Sequence, residues 1–163
     1  MTIIRLVRED DAPALRELLD SVARERRYLG ALEAPPVERM QAFVSGVVKA
    51  GHAQFVADDR GKLLGWCDAL PGEASAGTAH VARLGMGVHK DHRGQGLGRA
   101  LMEATIRKVR SSGLEKIELS VYSSNAAAIA LYLKLGFVEE GRKIRGRFVD
   151  GVYDDVVLMG LML

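Results

Sequence analysis

The chain has 163 residues, a size that fits one domain over residues 1–163, and its 23 basic and 21 acidic side chains leave a net charge of +2, too even to argue for nucleic acid as a partner. Apolar residues make up 48%, enough for a core without staples, and the single cysteine, Cys67, excludes an intramolecular disulfide and suits a reducing, cytoplasmic setting. No charged segment leads into an apolar one at the N-terminus and no apolar run reaches spanning length, so a soluble protein with no membrane partner is expected.

Thr2–Val7, rich in β-branched and aliphatic residues, reads as a strand. Asp10 and Asp11 are cap candidates for a helix whose stripe is Leu15, Leu18, Leu19 and Val22. Pro35-Pro36 opens a second helix with Val37, Met40, Val44 and Val47 on one face. Ala53–Ala57 and Lys62–Asp68 read as a hairpin turning at Asp58–Gly61. Pro71–Gly77 reads as a loop. Ala79–Val88 reads as a central strand in which Gly85 and Gly87 signal a bulge or a close backbone approach. A basic, glycine-rich turn, His89–Gly98, leads into a helix with Leu97, Ala100, Leu101 and Ala104 on one side, ended by Gly113. Ile117–Tyr122 is a strand, and Ser123–Asn125 caps a helix with the stripe Ala128, Leu131, Tyr132, Leu135, closed by Gly136. Strands over Phe137–Arg145 and Tyr153–Leu161 finish the chain.

The order β-α-α-β-β-β-α-β-α-β-β, with one parallel crossover near Gly96, implies an α/β (α+β) fold with a mixed sheet and helices on its faces. Cys67, Trp66 and the methionines at 40, 86, 102 and 159 read as core, and no cluster has metal-ligand spacing, so no metal is expected.

Arg93-Gly94-Gln95-Gly96-Leu97-Gly98 lies between a strand and a helix. N–H groups at a helix start lack internal partners and carry partial positive charge, and glycine lets an anion approach them closely. With His92, Arg93 and Arg99 beside it, the turn reads as a diphosphate cradle. A dinucleotide fingerprint would put a third glycine where Arg99 stands, and a Walker loop is absent.

Arg93-x-x-Gly96-x-Gly98 resembles the R/Q-x-x-G-x-G/A signature of the GNAT superfamily of acetyl-CoA-dependent N-acetyltransferases. Leu84-Gly85-Met86-Gly87-Val88 before it looks like that family's bulged fourth strand, and Asn125 followed by Leu131-Tyr132-Leu133-Lys134-Leu135-Gly136-Phe137 looks like its N…A…LYxKxGF segment. The resemblance implies a mostly antiparallel twisted sheet with splayed central strands, acetyl-CoA as co-substrate, and room for a homodimer. It places pantetheine against Met86, Gly87 and Val88, with the thioester oxygen near Gly85 or Met86. It places the pyrophosphate against Arg93, Gly94, Gly96, Leu97, Gly98 and Arg99, and it makes Asn125 a cofactor-side residue. Tyr132 becomes the acid that protonates the departing thiolate, a transfer from a phenol of pKa roughly 10 to a thiol of roughly 8.5.

The attacking amine must lose a proton. Glu25, continuing the first apolar stripe, is the leading candidate to take it, with Glu118, His80 and a water chain as alternatives. Arg147-x-x-Asp150-Gly151-x-Tyr153-x-Asp155 looks like the GxW/Y-x-D tail of a branch that includes phosphinothricin- and amino-acid-acetylating enzymes. Tyr153 and Asp155 alternate onto one strand face and are expected on the substrate side; Glu25 and Asp155 are expected to hold an ammonium, Tyr28 to wall it, and Arg147 to meet a carboxylate. The expected acceptor is a small amine such as an amino acid. Acetylation of a protein N-terminus or lysine, and a silent CoA-binding sensor, are the other readings.

Overall fold

A computed structural model of the chain describes residues 1–72 and 75–163, so part of the expected 71–77 loop lies outside the described residues. The elements follow the expected order: β1 (Thr2–Leu6), α1 (Ala12–Ala23), α2 (Val37–Ala50), β2 (Ala53–Asp59), β3 (Lys62–Pro71), β4 (Val81–Val88), α3 (Leu97–Ser111), β5 (Lys116–Tyr122), α4 (Ala126–Lys134), β6 (Val138–Val149) and β7 (Val152–Met162). Seven strands form one sheet in the order β1-β2-β3-β4-β5-β7-β6. The pairs β1/β2, β2/β3, β5/β7 and β6/β7 are antiparallel, and β4/β5 is parallel. The fold is thus mixed α/β with a mostly antiparallel sheet. No helix among the described residues is long and apolar enough to cross a membrane.

The chain divides into two compact units, Met1–Leu70 with Gly85–Ser112, and Pro71–Leu84 with Gly113–Leu163; β4 contributes its first half to the second unit and its second half to the first. In the first unit, β3 sorts its side chains by parity. Trp66 faces Leu15, Leu18 and Val22 of α1 and Met40, Val44 and Val47 of α2. Gly65 and Cys67 face α3, whereas Leu63, beyond the register shift between Ala57 and Asp58, joins the Trp66 cluster. A Cβ on Gly65 would meet Leu101 Cδ1 at 3.0 Å, and Cys67 is fully buried. Thr105 satisfies its buried hydroxyl by donating to Leu101 O at 2.8 Å. Met40, Met102 and Met159 are buried as expected, but Met86 is only half-buried and does not belong to the core.

The expected cap of α1 is replaced by an ion-pair cluster. Asp11 gives α1 no side-chain cap. Its carboxylate accepts the Arg8 N–H at 2.7 Å and two Arg5 N–H groups at 2.7 and 2.8 Å, while Arg5 Nε donates to Asp58 at 2.9 Å. The tightly held Arg5 draws the carboxylate into the β1–β2 edge. Burial works against ionised Asp11, but the Arg5 and Arg8 bonds outweigh it and hold its carboxyl below the usual range. The Arg5 and Gly61 bonds do the same for Asp58.

In the second unit, Ile117, Leu119 and Val121 of β5 are buried, as are Val157 and Met159 of β7. The β4/β5 register is short, from Val81↔Lys116 to Arg83↔Glu118, whereas β5 pairs with β7 along its whole length. β6 runs beyond the expected Arg145 because Asp150 and Gly151, at φ 52° and 77°, make a two-residue hairpin turn that continues the pairing to Val149↔Val152.

Candidate active site

The turn into α3 is built by backbone. Gly94 and Gly96 have φ 73° and 82°, values that L side chains rarely adopt, and Gly96 is the N-cap of the helix. The first intrahelical bond runs from the Ala100 N–H to Gly96 O at 3.1 Å, so the N–H groups of Leu97, Gly98 and Arg99 have no partner within α3. A Cβ at Gly94 or Gly96 would meet nothing within 4 Å, and Gly94, Gln95 and Gly96 are exposed. The turn is therefore an open rim of N–H groups at the positive end of a helix.

The two arginines of the expected cradle are already engaged. Arg93 donates through Nε to Val88 O at 2.9 Å and through both Nη groups to the two Glu25 oxygens, at 2.9 and 2.5 Å. Its guanidinium lies 4.7 Å from the centroid of the Tyr28 ring. Arg99 pairs with Glu103, one turn along the helix, at 2.8 Å. Glu25 also stands outside the helix that was expected to carry it, since α1 ends at Ala23 and Arg26 takes φ 60°. Glu25, Arg93 and Tyr28 thus form a strut from the end of α1 to the base of the turn.

On the α1–α2 face of the first unit, β4 is stripped of side chains. A Cβ on Gly87 would fall 2.3 Å from Trp66 Cη2, so this glycine is required by the indole. A Cβ on Gly85 would sit 3.6 Å from Asp68 Oδ1, an ordinary contact, and Gly85 is exposed. Asp68 shares its face of β3 with Trp66 and is registered opposite Gln54 of β2. The Gln54 Nε2 amide donates to Asp68 Oδ2 at 3.4 Å, and Gln54 Oε1 is buried without a partner among the described residues. Burial pushes the Asp68 carboxyl up to about 7 against the opposing Gln54 bond. The sequence patterns did not mark Asp68 as a functional residue. The available signal was a carboxylate two residues from Trp66 in an apolar strand.

In the second unit, Asn125 caps α4, its Oδ1 accepting the Ala128 N–H at 3.3 Å. Tyr132 is buried, with its ring 5.9 Å from that of Phe137. Tyr153 is exposed and stacks at 4.6 Å on Phe148, with the Arg145 guanidinium 4.9 Å away. Asp155 accepts the Arg145 N–H at 2.9 Å and Arg142 Nη1 at 3.3 Å, and Arg147 lies over the Tyr122 ring. The tail residues proposed to hold an acceptor are thus engaged within the β6–β7 hairpin and its neighbour. Glu118 takes a bond from Lys116 at 3.1 Å, and exposed His80 precedes β4 rather than opening it. Asp154, a further residue missed in the sequence, accepts both the Ser123 and Ser124 hydroxyls and pins the turn from β5 into α4.

The profile of the Acetyltransferase (GNAT) family matches residues 13–137. The chain belongs to the GNAT family. It is an N-acetyltransferase enzyme. The L-amino acid N-acyltransferase MnaT of Escherichia coli is 25% identical over 160 residues, covering 98% of this chain and 93% of its own. The phosphinothricin N-acetyltransferase of Alcaligenes faecalis is 30% identical over 157 residues, covering 96% and 80%. The crystal structure of a GNAT superfamily phosphinothricin acetyltransferase from Sinorhizobium meliloti in complex with AcCoA has the same fold, with a TM-score of 0.91 at 20% identity over 99% of this chain and 88% of that one. The matched segment of this GNAT chain spans the cradle, β4, Asp68 and Tyr132, and stops before the β6–β7 hairpin.

Proposed function

We infer that the protein transfers the acetyl group of acetyl-CoA to the primary amine of a small metabolite, an amino acid or a compound like one, while both substrates are bound. The observation that carries the reading is the open turn at the start of α3. Its Gly94 and Gly96 leave unoccupied space in front of helix N–H groups that lack partners, which fits a diphosphate. Main-chain N–H groups from Gly94 to Arg99 would hold it; the Arg93 side chain braces the turn through Glu25 instead of reaching outward. The bare strip at Gly85 suits a β4 main chain that lines the pantetheine and polarises the thioester oxygen. The thioester supplies an activated acyl group with a good leaving thiolate. Tyr132 is the residue assigned to protonate that thiolate.

Relatives named for L-amino acids and for phosphinothricin, each matched along nearly the whole chain, support the acceptor class. Thiol release from acetyl-CoA against free L-amino acids, simple amines and short peptides tests it. Turnover with free amino acids is expected. Turnover confined to peptide N-termini would replace this reading with a protein-acetylating one. Tight acetyl-CoA binding with no turnover would leave a silent binding module.

A further inference from the structure

The chemistry demands a proton acceptor for the amine, and the groups first singled out for it are either engaged or set apart from β4. Both Glu25 oxygens are taken by Arg93, Glu118 is bonded to Lys116, and His80 is exposed ahead of β4. Asp68 differs from all three. Among the described residues no lysine or arginine is paired with it, and its one side-chain partner is the Gln54 amide at a long 3.4 Å. It borders the one stretch of β4 where the backbone is both bare and exposed. An atom placed where a Gly85 Cβ would be lies 3.6 Å from Asp68 Oδ1, and a small shift brings a nitrogen into hydrogen-bond reach.

We propose that Asp68 is the general base that takes the proton of the attacking amine, with Gln54 as its positioning residue. The inference rests on the acetyltransfer reading above. The ammonium passes one proton to the Asp68 carboxylate, and the freed lone pair forms the C–N bond at the thioester carbonyl carbon. The C–S bond breaks, the nitrogen's second proton ends on the departing thiolate, and Asp68 returns its own proton to solvent. No oxidant or reductant is consumed.

The surroundings suit the task. A carboxyl at about 7 is about half ionised at neutral pH and far more basic than an ordinary aspartate, so it can both take and return a proton there. It lies about one unit below a peptide α-amine at roughly 7.7–8.0 and further below the ammonium of a free amino acid, so the transfer is uphill but much less so than to an ordinary aspartate. The adjacent titratable group, Cys67, has its thiol pushed up by burial and stays neutral, so it does not compete for the proton.

The test is Asp68→Asn, assayed by thiol release with acetyl-CoA and a free amino acid from about pH 5 to about pH 9. Wild type should show a limb in kcat/KM at about 7. The variant should lose that limb and about 10²–10³-fold in rate at neutral pH, keep the limb of the amine itself, and bind acetyl-CoA within about twofold of wild type by calorimetry. Gln54→Leu should raise the limb, because the amide bond favours the carboxylate. A readout independent of turnover is thermal stability. An acid with a raised folded-state pKa makes the fold lose stability as pH rises through the window from about 3.9 to about 7, so Asp68→Asn should gain on wild type from pH 5 to pH 8.

A variant within about threefold of wild type that retains the limb overturns the proposal while leaving acetyltransfer intact. A stability difference that stays flat with pH also overturns it. If wild type binds acetyl-CoA and releases no thiol with any amine, the acetyltransfer reading fails and takes this one with it.

Discussion

At the scale of single residues, backbone conformation and side-chain engagement divide the site. Gly96 is required by its φ of 82° rather than by crowding, since nothing lies within 4 Å of where its Cβ would be. Gly96→Val should therefore distort the turn at a local cost of about 1–2 kcal/mol and weaken acetyl-CoA binding about tenfold or more by calorimetry. An unchanged Kd would remove the diphosphate from this turn. Tyr132→Phe keeps the buried ring and its packing on Phe137 while deleting the hydroxyl. It should lower kcat about 10²-fold with acetyl-CoA affinity nearly unchanged; equal losses in both would argue against an acid role. The glycines were legible in sequence because their requirement is local. Arg93 and Glu25 were each singled out in the sequence but not as partners, because the bond between them spans 68 residues of chain.

At the scale of elements, the close fit of β4 on β3 governs which glycines can change. Gly87→Ala would put a methyl 2.3 Å from the Trp66 ring, a clash with a rigid indole, and should destabilise the protein by about 1–3 kcal/mol. Because the chain has one tryptophan, its fluorescence reports that unfolding directly. Gly85→Ala meets Asp68 at an ordinary 3.6 Å and should leave stability within about 0.5 kcal/mol of wild type. A comparable loss at both positions would mean that backbone conformation, not the indole, decides. Two boundaries that sequence misplaced have different local causes. α1 stops at Ala23 rather than running on through Glu25, where the chain turns at Arg26 with φ 60°. β6 runs on to Val149, since cross-strand pairing with β7 rewards extension that local propensity does not show.

At the scale of the whole molecule, the acid limit of stability follows from carboxylates held below their ordinary range: Asp11 and Asp58 around Arg5, Asp20 bonded to the Ala34 N–H and Arg24, and Asp154 of β7 bonded to the β5–α4 turn, where serine bonds outweigh burial. Each has a lower pKa folded than unfolded, so its contribution is present above about 3.9 and lost as pH falls through the folded value. Urea unfolding should show stability dropping steeply below about pH 4. Arg5→Met takes the counter-ion from two partly buried carboxylates, which keep only their Arg8 and Gly61 N–H bonds, and should cost about 1–3 kcal/mol at pH 7, less at pH 3.5, where protonation relieves them. A deficit that does not shrink with acid would mean that packing, not charge, is lost. By itself the sequence determined the order of elements, the crossover into α3, the glycine turn and the family, because each is written in local periodicity, in φ-permissive residues and in contiguous motifs. Only the tertiary structure decided that Arg93 is bonded to Glu25 at the base of the turn, that Asp155 is engaged within a hairpin, and that Asp68 stands beside bare backbone with a raised carboxyl pKa. Those properties arise from burial and from partners on other strands, and burial is a sum over neighbours that no stretch of sequence contains.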